Sequence, residues 1–409
     1  MNNVSALQVF REEKISLFKV LFVSVSLLWP FLKIADYPFP TMLLLGMILL
    51  VYSPPVGGRN VSLREVYLLV GSCSLLALSI FINVLFYGVE RYDIKDYSYV
   101  TIPAIWFLTY YYLCRVSAYE IVLAIRIFLG VTVFLCVLQL LNPYGFNESV
   151  IVPLARMATG ENIAGEEQLS LVTVRPFGLF GNPVWCGFAA YFCAFADKAI
   201  SGKSYSMAVA FLIAILTGSR TALAIIVVTE SFYYAPQVWK VISGKMSVGS
   251  VLFFSFLLLL ALYILMNSFI GTYYGSFESL SQARDSDYSL FYRLETAATQ
   301  FGRNDYNLLS GGSGWREFPE YVDSEYVMRV LQFGVLGLVG FKLYSLVIPF
   351  MVLITRDVSR SWKNYLLLSL VVSGLAGSIT FFISSTPYFV YLYAVVYFAI
   401  ASESEMPEE

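Results

Sequence analysis

The chain has 409 residues, of which 58% are hydrophobic, 17% aromatic and 13% charged, with a formal net charge of -2 and no histidine. Soluble domains carry about 25% charged residues, so this composition is too poor in charge to coat a soluble globule of this size. The missing histidine excludes every imidazole relay and every His-ligated zinc motif, and the near-neutral balance sets up no field that attracts nucleic acid.

A membrane-spanning helix needs about 20 mainly apolar residues. On that rule the candidate spans, about twelve, are roughly 15–35, 39–56, 65–87, 98–114, 119–141, 177–197, 205–219, 221–239, 247–270, 326–355, 364–383 and 387–402. The polar N-terminal stretch precedes the first apolar run with no small-residue cleavage site after it, so an uncleaved anchor is expected. Cys73, Cys114, Cys136, Cys186 and Cys193 all lie in apolar runs and read as small core residues.

Placing the N-terminus inside puts Arg11, Lys14, Arg59, Arg64, Arg115, Lys198, Lys203, Lys240, Lys245, Arg356, Arg360 and Lys363 on the cytoplasmic side. The acid-rich segment 88–97 and two long loops, about 142–176 and 271–325, then face outward, and both termini are cytoplasmic. The expected fold class is an all-α polytopic membrane protein, a single transmembrane bundle over 1–409.

From residue 142 onward the outward segments and span ends hold Arg156, Arg175, Arg220, Arg284, Arg293, Arg303, Arg316 and Arg329, without a lysine in the set. Arginine's planar fork matches phosphate oxygens and stays charged when partly desolvated, so the set fits a phosphate or pyrophosphate; chance is the plain alternative. Arg175 precedes Pro176-Phe177-Gly178-Leu179-Phe180-Gly181-Asn182-Pro183. Its glycines and prolines permit a loosened helix start with free amide donors, or a simple membrane-approach turn with a snorkelling arginine. Arg220 stands in the turn Thr217-Gly218-Ser219-Arg220-Thr221, as a ligand or as a hairpin anchor. Arg329 lies one turn inside a span, where ionisable groups face a bundle interior or cavity.

The second loop includes Tyr288 to Thr299, whose helical spacing predicts a helix on the membrane surface carrying Arg293. It ends in Gly311-Gly312-Ser313-Gly314-Trp315, then Asp323-Ser324-Glu325-Tyr326. Asp323 and Glu325 read either as N-terminal helix caps or, in a chain without histidine, as a general base. The 30 tyrosines fit interface belts and sugar-contacting surfaces equally.

R-x-x-G-x-F followed by N-P (Arg175 to Pro183), T-G-S-R-T (Thr217 to Thr221), Y-R-L (Tyr292 to Leu294), and a glycine-rich turn before D-S-E-Y and F-G-V-L-G-L (Phe333 to Leu338) occur in this order. In that order they resemble the O-antigen ligase and polymerase superfamily, most closely the Wzy-type O-antigen or exopolysaccharide polymerases. The resemblance implies a GT-C-like glycosyltransferase bundle in the bacterial inner membrane with its active site facing the periplasm. Such an enzyme transfers a glycan from undecaprenyl pyrophosphate to the next lipid-linked repeat unit, without a cofactor and without a metal. Its partners would be undecaprenyl-pyrophosphate-linked glycans, the lipid bilayer and a chain-length-determining membrane protein, with no nucleic acid.

Arg175 and Arg220 would hold the pyrophosphate, with Arg293 and Arg329 as further binders. Asp323 would take the proton from the attacking hydroxyl, with Glu325 in reserve. The ligase branch carries H-N-x-x-L where this chain reads Asp323-Ser324-Glu325-Tyr326-Val327, which speaks against O-antigen ligase activity toward lipid A core. A lipid-linked oligosaccharide flippase shares the span count but would carry its charges along a central lumen, and a transporter of the major facilitator type would have its longest loop inside between spans six and seven, a connection that is short here.

Overall fold

The computed structural model describes residues 16–29, 31–34, 37–52, 63–88, 98–154, 176–180, 182–242, 307–311, 325–355, 365–367, 369–374 and 387–403. The first helix, α1 (Leu17–Leu28), stops before residue 35: a proline at position 30 disfavours helix in the residue ahead of it, and Trp29 has left the helical region at φ -120, ψ 81. A two-stranded antiparallel ribbon follows, β1 (Phe31–Ile34) and β2 (Tyr37–Pro40), with Phe31 opposite Pro40. Most of the rest of the described chain is helical: α2 (Thr41–Tyr52), α3 (Leu63–Tyr87), α4 (Ile102–Leu113), α5 (Ala118–Leu141), α6 (Pro183–Ser201), α7 (Tyr205–Leu216), α8 (Arg220–Ile242), α9 (Glu325–Lys342), α10 (Ile348–Thr355) and α11 (Pro387–Glu403). Short 3-10 and π turns join some of them, and residues 365–367 and 369–374 are helical as well. The described residues bear out the all-α expectation, this short ribbon being the one strand pair among them.

Among the described residues three runs are long and apolar enough, by length and composition, to cross a membrane: Leu63–Tyr87, Ala118–Leu141 and Glu325–Ile354, the last interrupted at Gly334. The helices α1, α2, α4 and α7 have 12 residues each, about 18 Å at the usual rise, less than a bilayer core. The expected span 247–270, the surface helix 288–299 and most of both long loops lie outside the described residues.

Along α3 polarity is arranged inside out. On α3 the exposed face carries Leu63, Tyr67, Val70, Phe81 and Leu85, while Glu65, Ser72, Ser79 and Asn83 are buried. Water would reject such a surface, whereas lipid accepts it and small polar residues serve as contacts between helices. Two helices, α6 and α11, are buried along nearly their whole length and form the middle of the bundle.

Side-chain contacts give the helix directions. Arg126 of α5 meets Asp197 of α6, while Gln139 at the end of α5 meets Gly178 just before α6, so these two run antiparallel. Gly187 faces Ser219 and Lys198 faces Glu230, so α6 and α8 run parallel. Phe188 packs edge-on against Phe389 and, one turn on, Phe192 packs against Tyr393, which makes α11 parallel to α6. Met42 at the start of α2 meets Thr109 and Tyr112 near the end of α4.

The expected continuous span 326–355 is broken. Gly334 has φ 64 and ψ -169, a conformation open essentially to glycine alone, and it reverses the chain within α9. Lys342 consequently reaches Glu325, which a straight helix would hold about 25 Å away. The turn Asn307–Gly311 caps the break: the Val335 and Leu336 amides donate to Leu308 and Leu309 carbonyls at 2.9 and 3.1 Å. From α3, Ser79 donates to the Phe333 carbonyl at 2.5 Å, and the Asn83 amide donates to the Ser310 and Gln332 carbonyls. These bonds satisfy backbone groups that a bilayer interior could not.

Candidate functional site

One cluster forms where α6 begins. Its helix starts cleanly because Asn182 accepts a hydrogen bond from the Val184 amide at 2.8 Å and Pro183 occupies the first turn. Ahead of it, residues Pro176 to Phe180 are buried. Gln139 of α5 clamps them: its Oε1 accepts from the Phe177 and Gly178 amides at 2.9 and 3.1 Å, and its Nε2 donates to the Gly178 carbonyl at 2.7 Å. The expectation of a loosened helix start with free amides is thus corrected. Asn-Pro is a cap, and the two amides are occupied. Arg175 itself lies outside the described residues.

The second motif comes to the same end of α6. Gly218 adopts φ 61 to close the α7–α8 turn, Thr217 and Ser219 are buried, and Arg220 is the first residue of α8. A Cβ on Gly187 would stand 2.5 Å from the Ser219 Cβ, and a Cβ on Gly178 would stand 3.5 Å from Cys186 Sγ. So the segment that follows Arg175 and the turn that carries Arg220 both pack on the first turns of α6. The polar turn, unsuited to lipid on its own, is sheltered by this packing. A helix N-terminus also brings a partial positive charge to the Arg220 position.

A second cluster surrounds Arg329 and Glu325, which share one face of α9 a turn apart. The Arg329 guanidinium lies over the rings of Tyr99 and Phe341, 4.4 and 5.3 Å from their centroids, and donates to Gln332 Oε1. Tyr99, Phe333 and Phe341 pack edge to face around it. Glu325 is fully buried and accepts from Lys342 Nζ at 2.8 Å, with Tyr326 4.9 Å below the same ammonium. Both partnerships exist because Gly334 folds the chain back on itself. Asp323 and Arg293 lie outside the described residues.

Several charged residues in ion pairs have no role in the motif-based reading: buried Asp197 with the exposed Arg126 at 3.0 Å, buried Lys198 with the partly buried Glu230 at 2.7 Å, and the partly buried Lys342. Their signal in the sequence is simply a charge within an apolar run. Gln139, Gln332 and Tyr99 carried no comparable signal, since their importance comes from partners far along the chain.

Fold and site together define a mainly helical protein with apolar helices long enough to cross a membrane and charged groups enclosed between them. No protein-family model and no curated protein matches the chain.

Proposed function

We propose that this chain is a polytopic inner-membrane glycosyltransferase, an O-antigen or exopolysaccharide polymerase of the Wzy type, acting at the periplasmic face on undecaprenyl-pyrophosphate-linked repeat units. The observation that carries the reading is the joint packing of the Arg175-following segment and the Arg220 turn on the first turns of α6. Two arginine motifs separated in sequence are thereby directed to one end of the bundle. The apolar exposed face of α3 and the antiparallel α5–α6 and parallel α6–α8 packings support a polytopic arrangement, and the lysine and arginine bias of the loops turns that end toward the periplasm.

In this mechanism an acceptor sugar hydroxyl attacks the anomeric carbon of the donor glycan. The bond to the pyrophosphate oxygen breaks, and undecaprenyl pyrophosphate leaves with the bonding electrons. Arg175 and Arg220 stabilise the negative charge that develops there, as fixed positive groups in a partly dry site. Arg293 and Arg329 are further binders, Arg329 being held by its ring contacts. Asp323 accepts the proton of the attacking hydroxyl. Glu325 is the reserve base, placed second because it already faces Lys342.

Complementation of a polymerase-null strain tests the reading through a gel of its lipopolysaccharide. A restored ladder is expected. A persistent single-repeat band at normal protein level, or rescue only of a flippase- or ligase-null strain, overturns it.

A further inference from the structure

The opposite end of α6 holds two adjacent charges that reach different helices. Asp197 accepts from Arg126 of α5 at 3.0 and 3.2 Å and from the Ser206 hydroxyl of α7. Lys198, fully buried, donates to both oxygens of Glu230 on α8 at 2.9 and 2.7 Å. Tyr365 donates to the same carboxylate at 2.6 Å, and the ammonium sits 3.9 and 4.3 Å from the Tyr233 and Tyr365 ring centroids.

The α6–α8 interface keeps one register along its length. Gly187 pairs with Ser219 and Lys198 with Glu230, a constant offset of 32 residues. Between those contacts α6 presents mainly small or aromatic residues, including Ala189, Ala190, Ala194 and Ala196. Small apolar surfaces pack closely but distinguish poorly between alternative axial positions, whereas a buried polar pair admits only one. A slip of one helical turn would move α8 by about 5.4 Å along α6. Arg220 heads that helix, ten residues before Glu230.

We infer that the Lys198–Glu230 pair is a positioning device: it sets the register of α8 on α6 and so places the start of α8, where Arg220 stands, at the end of α6 on which the Pro176–Phe180 segment packs. The consequence for catalysis rests on the reading of Arg220 as a pyrophosphate ligand; the consequence for position does not.

The test uses the full chain in membranes. Maleimide labelling of R220C, corrected for the chain without that cysteine, reports the position of the α8 start, with S149C on an exposed segment as control. It is run in the parent, in E230Q, in K198M/E230M and in the reversed pair K198E/E230K. Removing one partner of a buried pair strands a charge, so E230Q can fail to fold, whereas K198M/E230M strands none and keeps the measurement available.

The expected result is that K198M/E230M unfolds near the parent temperature, yet labels at R220C with a changed rate and at S149C with the parent rate. K198E/E230K should return R220C toward the parent rate. Carrying Arg220, K198M/E230M should lose about a hundredfold in kcat with little change in KM, the scale on which a misplaced catalytic group acts. A lowered unfolding temperature with parent-like R220C labelling would mark the pair as merely stabilising and overturn the inference. Shifted labelling with unchanged polymer output would keep the positional inference and instead remove Arg220 from the mechanism.

Discussion

Removing Glu325 leaves the Lys342 ammonium, only 14% exposed, without the carboxylate that faces it. Glu325→Leu alone should destabilise by about 3–5 kcal/mol, and E325L/K342M should recover most of that loss, because a stranded buried charge costs more than an apolar pair. Thermal unfolding in detergent checks both. Arg329→Lys should not substitute, since a compact ammonium cannot both lie flat over Tyr99 and reach Gln332; a loss of about 1–2 kcal/mol is expected in the same assay. For the proposed chemistry, alanine at Arg175 or Arg220 should cost about 3 kcal/mol or more of transition-state stabilisation, about a hundredfold in polymerisation rate. Near-normal polymer from both variants at normal protein level would remove these residues from the mechanism. At this scale the sequence shows that Arg329 is enclosed, because charge inside an apolar run has nowhere else to go. Its rings do not show, since Tyr99 is 230 residues away along the chain and meets it only through folding.

Elements were legible where local rules govern them. Ser117 and Glu120 exchange hydrogen bonds in a capping box that starts α5, and Asn142 in the left-handed region followed by Pro143 stops it. The α9 break was not legible: hydropathy runs smoothly across Gly334, and only its packing shows that the chain turns there. A Cβ at Gly334 would lie 2.2 Å from the Leu309 carbonyl carbon. Gly334→Ala should therefore cost more than the about 1–3 kcal/mol of backbone strain alone, because the Asn307–Gly311 turn must also move away. Its unfolding temperature in detergent is the measurement. Gln139→Leu tests the other end of the bundle. It takes the acceptor from the buried Phe177 and Gly178 amides, and a loss of about 1–3 kcal/mol is expected, without the overpacking that a larger side chain would bring.

On the scale of the whole molecule, the lysine and arginine bias of the loops predicts orientation, and the helix directions constrain it independently. If α5 runs outward, α6, α8 and α11 run inward. Alkaline phosphatase fused after Asp96 should accordingly be active, and fused after Lys203 inactive, in cells making the fusions at equal levels. The reverse pattern would invert the bundle and place the start of α6 in the cytoplasm, where the proposed reaction has no substrate.

Composition by itself determined that this chain suits lipid rather than water, because 13% charge cannot solvate a surface of this size. Hydropathy located the described helices to within several residues, since a long apolar run has few ways to satisfy its backbone in a membrane other than helix. Motif order directed attention to Arg175, Arg220 and Glu325, and a charge inside an apolar run to Arg329. Only the tertiary structure decided which of these share an environment: the α6 start gathers the Arg220 turn with the segment after Arg175, and the Gly334 reversal brings Lys342 to Glu325 and Phe341 to Arg329. It also revealed the Asp197 and Lys198 pairs. The reason is physical: propensity and hydropathy act within a few residues, whereas the partner of a buried charge is chosen by helix packing between residues distant in sequence.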